Sequence, residues 1–431
     1  MQNKLWLDNI KMPEFEMLKS DIKTDVLIVG GGIAGILTAY FLTKSGIDCV
    51  LVEKNKLCSG VSSGTTGKIT SQHGLIYSDL IKKFGVELAK GYLESNNLAV
   101  DTYKNLCKNI DCDFEIKDNY VFSLNNYKLS SEMDAFGKIG FKAEFTFLKN
   151  LPVANFGAVK FAEQAQFHPI KFLSEIAKGL KIFENTFVLK FDGNKAITSH
   201  GNIIAENIVI ATHFPFIDSH GSYYLKLYQH RSYAIALDKA NDINGMYVSD
   251  RKDGLSFRNY KDMLIIIGGS HRTGKKGGSF TEIEQFARIH YPQSRILYRW
   301  ATQDCMSLDS VPYIGKYYGN TSNMYVLTGF NKWGMTGSMT GAIIINDMIL
   351  GKDNKFKELY SPSRTILRNQ LLVNGFESIT NLLNPFGKRC PHLGCKLKWN
   401  KIERSWDCPC HGSRFNSDGK VLDNPANGDI K

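Results

Sequence analysis

Cys390, His392, Cys408 and His411 have the residue types and spacing of a metal centre. They stand in two short boxes, Cys390-Pro391-His392-Leu393-Gly394-Cys395 and Cys408-Pro409-Cys410-His411-Gly412-Ser413, so that a Cys-x-His precedes a Cys-x-x-His with residues 393 to 407 between them. Two soft thiolates suit one iron and two imidazoles a second, the ligand chemistry of a two-iron, two-sulfide centre that moves electrons singly. Zinc takes the same donor types. The placement of the histidines and the turns at Gly394 and Gly412 argue against it. An electron carrier needs a source of electrons, and the other end of the chain supplies a candidate.

Thr24-Asp25-Val26-Leu27-Ile28-Val29 reads as a buried parallel strand. It runs into Gly30-Gly31-Gly32-Ile33-Ala34-Gly35, a G-x-G-x-x-G, and then into a helical pattern carried by Ile36, Leu37, Tyr40, Phe41 and Leu42. A second strand, Cys49-Val50-Leu51-Val52, ends on Glu53, eighteen positions after Gly35. Each part has a physical role in a dinucleotide site. Gly30 permits the tight turn, Gly32 lets the backbone approach a pyrophosphate, and Gly35 lets helix and strand pack closely. The helix N-terminus offers free N–H groups to phosphate charge. Glu53 can accept hydrogen bonds from ribose hydroxyls, which favours FAD or NAD over NADP.

Cys58 to Gly74, CSGVSSGTTGKITSQHG, resembles the loop that wraps FAD in flavoproteins of the D-amino-acid-oxidase type. Ile208-Val209-Ile210-Ala211-Thr212 resembles the strand those enzymes set beside the FAD, with His213 where they usually carry glycine and a locally different turn expected. The stretch Thr328-Gly329-Phe330-Asn331-Lys332-Trp333-Gly334-Met335-Thr336-Gly337 resembles the turn and helix N-terminus that meet the flavin ring, where a helix dipole stabilises negative charge. Thr186-Phe187-Val188 resembles the segment near adenine, read as the end of a strand. The whole chain is similar to bacterial fusions of a glycine-oxidase-type FAD oxidoreductase with a C-terminal Rieske [2Fe-2S] domain. The runs 67–74 and 331–336 resemble that family's own signatures.

The resemblance implies an α/β fold: a Rossmann-like FAD-binding domain with an interleaved antiparallel-sheet substrate domain, plus a small all-β Rieske domain. The expected division is an N-terminal extension 1–20, an FAD-binding domain from 21–78, 151–212 and 301–352, a substrate domain from 79–150 and 213–300, a linker 353–376, and a Rieske domain 377–431. FAD would be held by Gly30, Gly32, Ile33, Ala34 and Gly35, by Glu53 and Lys54, by Ser62, Thr65 and Thr66, by Val188 and Ala211, and by Gly329, Trp333, Gly334, Met335 and Thr336. Cys390 and Cys408 would ligate one iron, His392 and His411 the other, and Cys395 and Cys410 would form the disulfide that bridges the cluster loops. Ser413 would donate to a cluster sulfide. Phe415 stands where high-potential relatives carry tyrosine, so a lower potential is expected. Asn424-Pro425-Ala426 resembles the proline loop over the cluster.

Amine-oxidising relatives hold a substrate carboxylate with Arg and Tyr, which makes Arg231, Tyr233, Arg258, Arg272 and Tyr313 candidates, each also readable as an ordinary surface or interface ion pair. His73 and His271 are candidate bases, or structural histidines. The expected activity is oxidation of a small amine or amino acid by hydride transfer to flavin, with electrons leaving singly through the cluster to an external carrier, as a dehydrogenase rather than an oxidase. The alternative is a non-catalytic electron-transfer or redox-sensing protein. A Rieske oxygenase is disfavoured because no two-His-one-carboxylate motif is evident.

The 431 residues carry a net charge of +11, yet the lysines are dispersed and no basic helix or aromatic-basic ladder suggests nucleic acid. Residues 377–431 hold nine Lys/Arg against six Asp/Glu. Lys388, Arg389, Lys396 and Lys398 flank the first box and would suit an acidic carrier of the ferredoxin or flavodoxin kind. No apolar run has the ~20 residues of a membrane span, no signal-peptide pattern opens the chain, and the scattered cysteines fit a reducing compartment. A cytoplasmic protein is expected.

Overall fold

A computed structural model describes residues 4–8, 10–149, 151–217, 221–251, 253–319 and 323–430. The first strand, expected over 24–29, spans Ile22–Val29, is continuously buried from Val26 onward and lies inside an eight-stranded sheet. It pairs in parallel with Cys49–Val52 on one side and Gly201–Ile210 on the other. The helix Ile33–Lys44 makes the crossover between the first two strands, as a parallel pair requires. The six strands on the main path run in the order Tyr313–Lys316, Met324–Thr328, Gly201–Ile210, Ile22–Val29, Cys49–Val52, Ile182–Phe183. The hairpin of Val188–Asp192 and Lys195–Thr198 is attached to Gly201–Ile210. Thr186-Phe187-Val188 therefore begins a strand rather than ending one. The apolar helix Gly334–Ile349 packs on Ile33–Lys44. Its N-terminus and the turn after Val29 both border one crevice beyond the strand ends, where such sheets bind ligands.

A second sheet has nine strands. Ile296–Ser307, Leu227–Leu237, Met263–Arg272, Ser256–Tyr260, Met246–Ser249, Glu115–Ser123, Gly157–Gln166 and Lys68–Ile69 follow one another across it, with Glu144–Thr146 beside Gly157–Gln166. The pairing corrects the division expected from sequence. Gly157–Gln166 and Lys68–Ile69 join this larger sheet although they lie in segments assigned to the nucleotide-binding domain. Ile296–Ser307 is one strand that crosses the expected boundary at 301. Partner choice between sheets depends on contacts far away in sequence, which a local alternation of apolar residues does not encode.

The C-terminal sheet has four short antiparallel strands, Lys398–Asn400, Ser405–Asp407, Arg414–Phe415 and Val421–Asp423. The helix Asn369–Leu382 starts inside the expected linker and runs past the expected boundary at 377. The small domain does not stand apart. Arg231 of the large sheet makes a two-pronged ion pair with Glu403, and both are almost fully buried. Gln229 Nε2 donates to the His411 and Asn424 carbonyls at 2.9 Å each, and Gln303 Nε2 donates to the Gly412 carbonyl at 2.9 Å. The N-terminal extension is also integral. Trp6 is fully buried, donates to the Thr65 carbonyl, and has the Arg258 guanidinium over its ring.

Candidate active site and cluster site

A cavity of about 1270 Å³ opens between the two large sheets. That exceeds the ~300–1,000 Å³ of ordinary ligand pockets and suits a dinucleotide with a substrate beside it. Residues 30, 32–34, 53, 54, 62, 65, 66, 188, 211 and 333–335 of the expected FAD set line it. Gly35, Gly329 and Thr336 lie behind the lining. A Cβ on Gly35 would sit 1.9 Å from the Gly30 carbonyl oxygen, and a Cβ on Gly30 would sit 2.6 Å from the Ala211 carbonyl oxygen. The close approach that a phosphate cradle needs is thus built with residues that have no side chain to obstruct it. Glu53 Oε2 accepts the Gly31 N–H at 2.7 Å, and Ser62 Oγ accepts the Ile33 N–H at 3.0 Å. The first holds the carboxylate at the second strand's end, and the second caps the helix. These residues fit the flavin dinucleotide that the motifs imply.

Beneath the turn at 331–336, His73 stacks on Trp333 with ring centroids 4.9 Å apart. Its Nε2 faces the Thr70 carbonyl at 2.9 Å, and Nδ1 meets the Tyr92 hydroxyl at 2.6 Å. Burial pulls its pKa down to about 3, so the ring is neutral and its nitrogens are engaged. His73 is a positioning residue for Trp333 rather than a free base. His213 adopts φ 68° itself. The turn where relatives carry glycine is thus kept in a left-handed conformation by a residue that rarely takes it.

The arginine candidates are committed elsewhere, which corrects the expectation that they hold a substrate. Arg231 lies at the cavity edge but is paired to Glu403. Arg258 is buried and donates to the carbonyls of Thr66, Gly67, Phe167 and Asn259, pinning the loop around the cavity. Arg272 donates to the Pro409 and Cys410 carbonyls and to Asn374 Oδ1. Tyr233 is buried between His271 and Phe280, and Tyr313 lies under the Arg364 guanidinium, 3.9 Å from its ring centre. Neither tyrosine lines the cavity, nor does His271.

A different set does face it. His230, Ser270, Asp304 and Lys332 line the cavity on the side of Trp333 and Gly334. Lys332 Nζ donates to Ser270 Oγ at 2.7 Å. Desolvation pulls the Lys332 ammonium pKa down while Asp304 opposes the fall. Desolvation likewise pushes the Asp304 carboxyl up against the pull of Lys332. An ammonium and a carboxyl in one pocket complement a zwitterion. Lys332 stands inside the run 331–336 already singled out, two residues before Gly334, and that position was its available signal.

The second site lies across a short turn. The rings of His392 and His411 are 4.9 Å apart, and Cys390 and Cys408 are buried beside them in one apolar cluster with Phe415 and Ala426. Neither nitrogen of the buried His411 ring makes a hydrogen bond of ordinary geometry among the described residues, which fits a ring that commits a nitrogen to a metal. The Cys390 and Cys408 sulfurs share a hydrogen bond that favours the Cys390 thiolate and raises Cys408. Cys395 and Cys410 are disulfide-bonded, and their sulfurs lie within 4.8 Å of the Cys408 sulfur. These donors fit the cluster. Ser413 is fully buried, and its Oγ accepts the Ala426 N–H at 3.0 Å, tying the box to the proline loop.

Residues 211–214 join the two sites. Ala211, Thr212 and His213 line the cavity. The Phe214 ring lies 6.3 Å from the ring of His392 and 6.3 Å from that of His411. Asn424 of the proline loop donates to the Thr212 and Phe214 carbonyls at 2.6 and 2.8 Å.

An ionic network seals this junction. Arg414 contacts Glu403, Asp407 and Asp423, and Arg231 joins through Glu403. Burial alone would push the Asp423 carboxyl up, but Arg414 and then Arg231 pull it below the usual carboxylate range, against Glu403. Its contribution is therefore complete above an unfolded value of about 3.9 and is lost as pH falls through the lower folded value. The domain junction should open on acidification below about pH 4, read as cleavage in the 353–368 segment under an acid-active protease. Asp423→Asn should weaken the junction at neutral pH and flatten that acid limb.

The family described as FAD dependent oxidoreductase matches residues 25–348, and the Rieske [2Fe-2S] domain family matches residues 352–431. YhfW of Bacillus subtilis (strain 168), named for a Rieske 2Fe-2S iron-sulfur centre, is 33% identical over 98% of this chain and 95% of its own length. Glycine oxidase from Geobacillus kaustophilus superposes with a TM-score of 0.67, covering 80% of this chain and 99% of its own at 19% identity. L-proline dehydrogenase from P. horikoshii superposes with a TM-score of 0.68, covering 80% and 98% at 18% identity. At those identities the two solved structures share the fold.

Proposed function

Because this chain belongs to the FAD-dependent oxidoreductase family and carries a C-terminal Rieske [2Fe-2S] domain, we propose that it oxidises a small amine or amino acid and sends the electrons out through the cluster. Bound FAD supplies a two-electron hydride acceptor and the cluster a one-electron outlet. The observation that carries the reading is the turn 211–214, which borders the cavity with Ala211 and His213 and meets both cluster histidines with Phe214. The outlet makes a dehydrogenase the better reading than an oxidase, with an external one-electron carrier as acceptor.

Anaerobic photoreduction tests the electron path. The cluster's EPR signal should grow as flavin absorbance bleaches. A flavin that bleaches fully beside an assembled cluster that stays oxidised would overturn it.

The substrate class rests on Lys332 and Asp304. The Lys332 ammonium takes the carboxylate of an amino acid, and Asp304, its carboxyl pushed up by desolvation, accepts a proton from the substrate ammonium, which frees the nitrogen lone pair that hydride loss from Cα requires. The solved relatives are named for glycine and L-proline, both small zwitterions. Lys332→Met should lower kcat/KM for the amino acid that bleaches the flavin by about 10- to 100-fold, the weight of one charged hydrogen bond. The corresponding amine without a carboxylate should be unaffected. Equal losses for both would remove Lys332 from carboxylate binding.

A further inference from the structure

The helix Asn369–Leu382 is turned inside out. A surface helix normally buries its apolar stripe. Here the inward residues, seven apart, are Asn374 and Asn381, both buried. Asn374 accepts from Arg272 Nη1 at 2.9 Å and donates to the Leu225 carbonyl, and the Asn381 carbonyl accepts the Lys396 N–H. The opposite face carries Leu372, Phe376, Ile379 and Leu383 at helical spacing, and Leu372, Phe376 and Leu383 are 75, 67 and 77% exposed. Phe386 extends the ridge at 77% exposure. At its far end Leu382 nears Gly394, so the ridge reaches the box that holds His392.

The chain around this ridge is predominantly basic. From residue 365 to 402 the chain carries Arg368, Lys388, Arg389, Lys396, Lys398 and Lys401 against one acid, Glu377, which is paired to Lys275. Arg389 is spent on helix-end carbonyls, while Lys388 is exposed with its ammonium 4.9 Å from the Trp406 ring centre and Lys398 is exposed.

We propose that this ridge seats the protein on an anionic phospholipid surface, with Leu372, Phe376, Ile379, Leu383 and Phe386 entering the acyl boundary and the lysines meeting the headgroups. Large apolar side chains beside a Lys/Arg rim are the chemistry of an interfacial helix. A second copy meeting this face about a two-fold axis would set the basic rim against itself. A folded acidic partner would need a pocket for each protruding side chain, whereas a lipid boundary adapts to any ridge. No helix among the described residues is long and apolar enough to cross a membrane, so the attachment is peripheral. It rests on the helix and its rim, not on the catalytic reading, and it turns the His392 box toward the bilayer.

The test is sedimentation of the holoprotein with vesicles of phosphatidylglycerol and phosphatidylcholine, and with phosphatidylcholine alone. Binding to the mixed vesicles is expected, weakened by salt and absent from the neutral ones. Leu372→Ser with Phe376→Ser should weaken it at least ~10-fold, and Lys388→Gln by about fivefold, with flavin and cluster spectra unchanged. No sedimentation with mixed vesicles overturns the proposal, as does equal binding by the double variant. A dimer in solution that Leu372→Ser with Phe376→Ser converts to monomer, without vesicle binding, also overturns it in favour of a second copy. Salt-sensitive reduction of an acidic ferredoxin without vesicle binding overturns it in favour of a protein partner.

Discussion

Gly35→Ala should yield a protein that purifies with little flavin and unfolds at a lower temperature. The added Cβ would stand 1.9 Å from the Gly30 carbonyl oxygen and 3.4 Å from Leu51 Cδ1. Gly30 cannot retreat. Its N–H is bonded to the Val52 carbonyl, and it holds φ 113° with the Ala211 carbonyl behind it. The helix Ile33–Lys44 must therefore lift off the first strand, which costs about 1–3 kcal/mol as an overpacked contact and moves its N-terminal N–H groups away from the phosphate position. A flavin occupancy reduced at least ~10-fold corresponds to ~1.4 kcal/mol of lost binding. Gly137→Ala is the matched control. It lies in the helix Asn126–Ile139 with nothing near its added Cβ and should be neutral or stabilising by up to ~1 kcal/mol. Full flavin content in Gly35→Ala at an unchanged melting temperature would show that the close approach is dispensable.

Both cofactors were legible in the sequence because the motifs that imply them are local. The turn 30–35 and Glu53 belong to one βαβ unit, and the cluster ligands sit in two boxes whose cysteines 395 and 410 are in fact bridged. The substrate side was not legible. Arg231 is a reasonable carboxylate binder by type, but its partner Glu403 lies 172 residues away. Arg272 is spent on carbonyls 137 and 138 residues away. A guanidinium carries no local sign of whether a distant carboxylate has claimed it, and here a whole docked domain claims two. Lys332 is hard to read from sequence for the opposite reason. It lies inside a motif whose glycines and helix start carry the resemblance, and nothing local separates its side chain from theirs. The helix Asn369–Leu382 crosses the expected end of the linker: Leu372, Phe376 and Ile379 have the spacing of a core stripe, and only the tertiary structure turns them outward.

Gly274→Ala should uncouple the cluster from the flavin while leaving both loaded. Gly274 holds φ 75°, and a Cβ there would lie 2.6 Å from the Pro409 nitrogen and 2.9 Å from the Cys408 carbonyl carbon. Those atoms are backbone of the second cluster box, and Arg272 fixes the same box through the Pro409 and Cys410 carbonyls. A left-handed residue with a Cβ costs about 1–2 kcal/mol and the contact about 1–3 kcal/mol more. The strain is relieved by moving the C-terminal domain off the large sheet. That movement pulls His411 and Gly412 from Gln229 and Gln303 and withdraws the two imidazoles from Phe214. Only the contact depends on docking, and it shifts the docked-to-undocked ratio by roughly 5- to 150-fold. Electron transfer falls steeply with separation, so flavin bleaching by substrate or light should proceed at its usual rate while the cluster signal lags far behind. The cluster's own EPR spectrum should be intact, because the ligands lie within the domain that moves. A cluster that fills as fast as in the unsubstituted protein would mean that electrons do not cross the junction between Gly274 and Pro409. An altered cluster spectrum would mean instead that the strain is absorbed by the box itself.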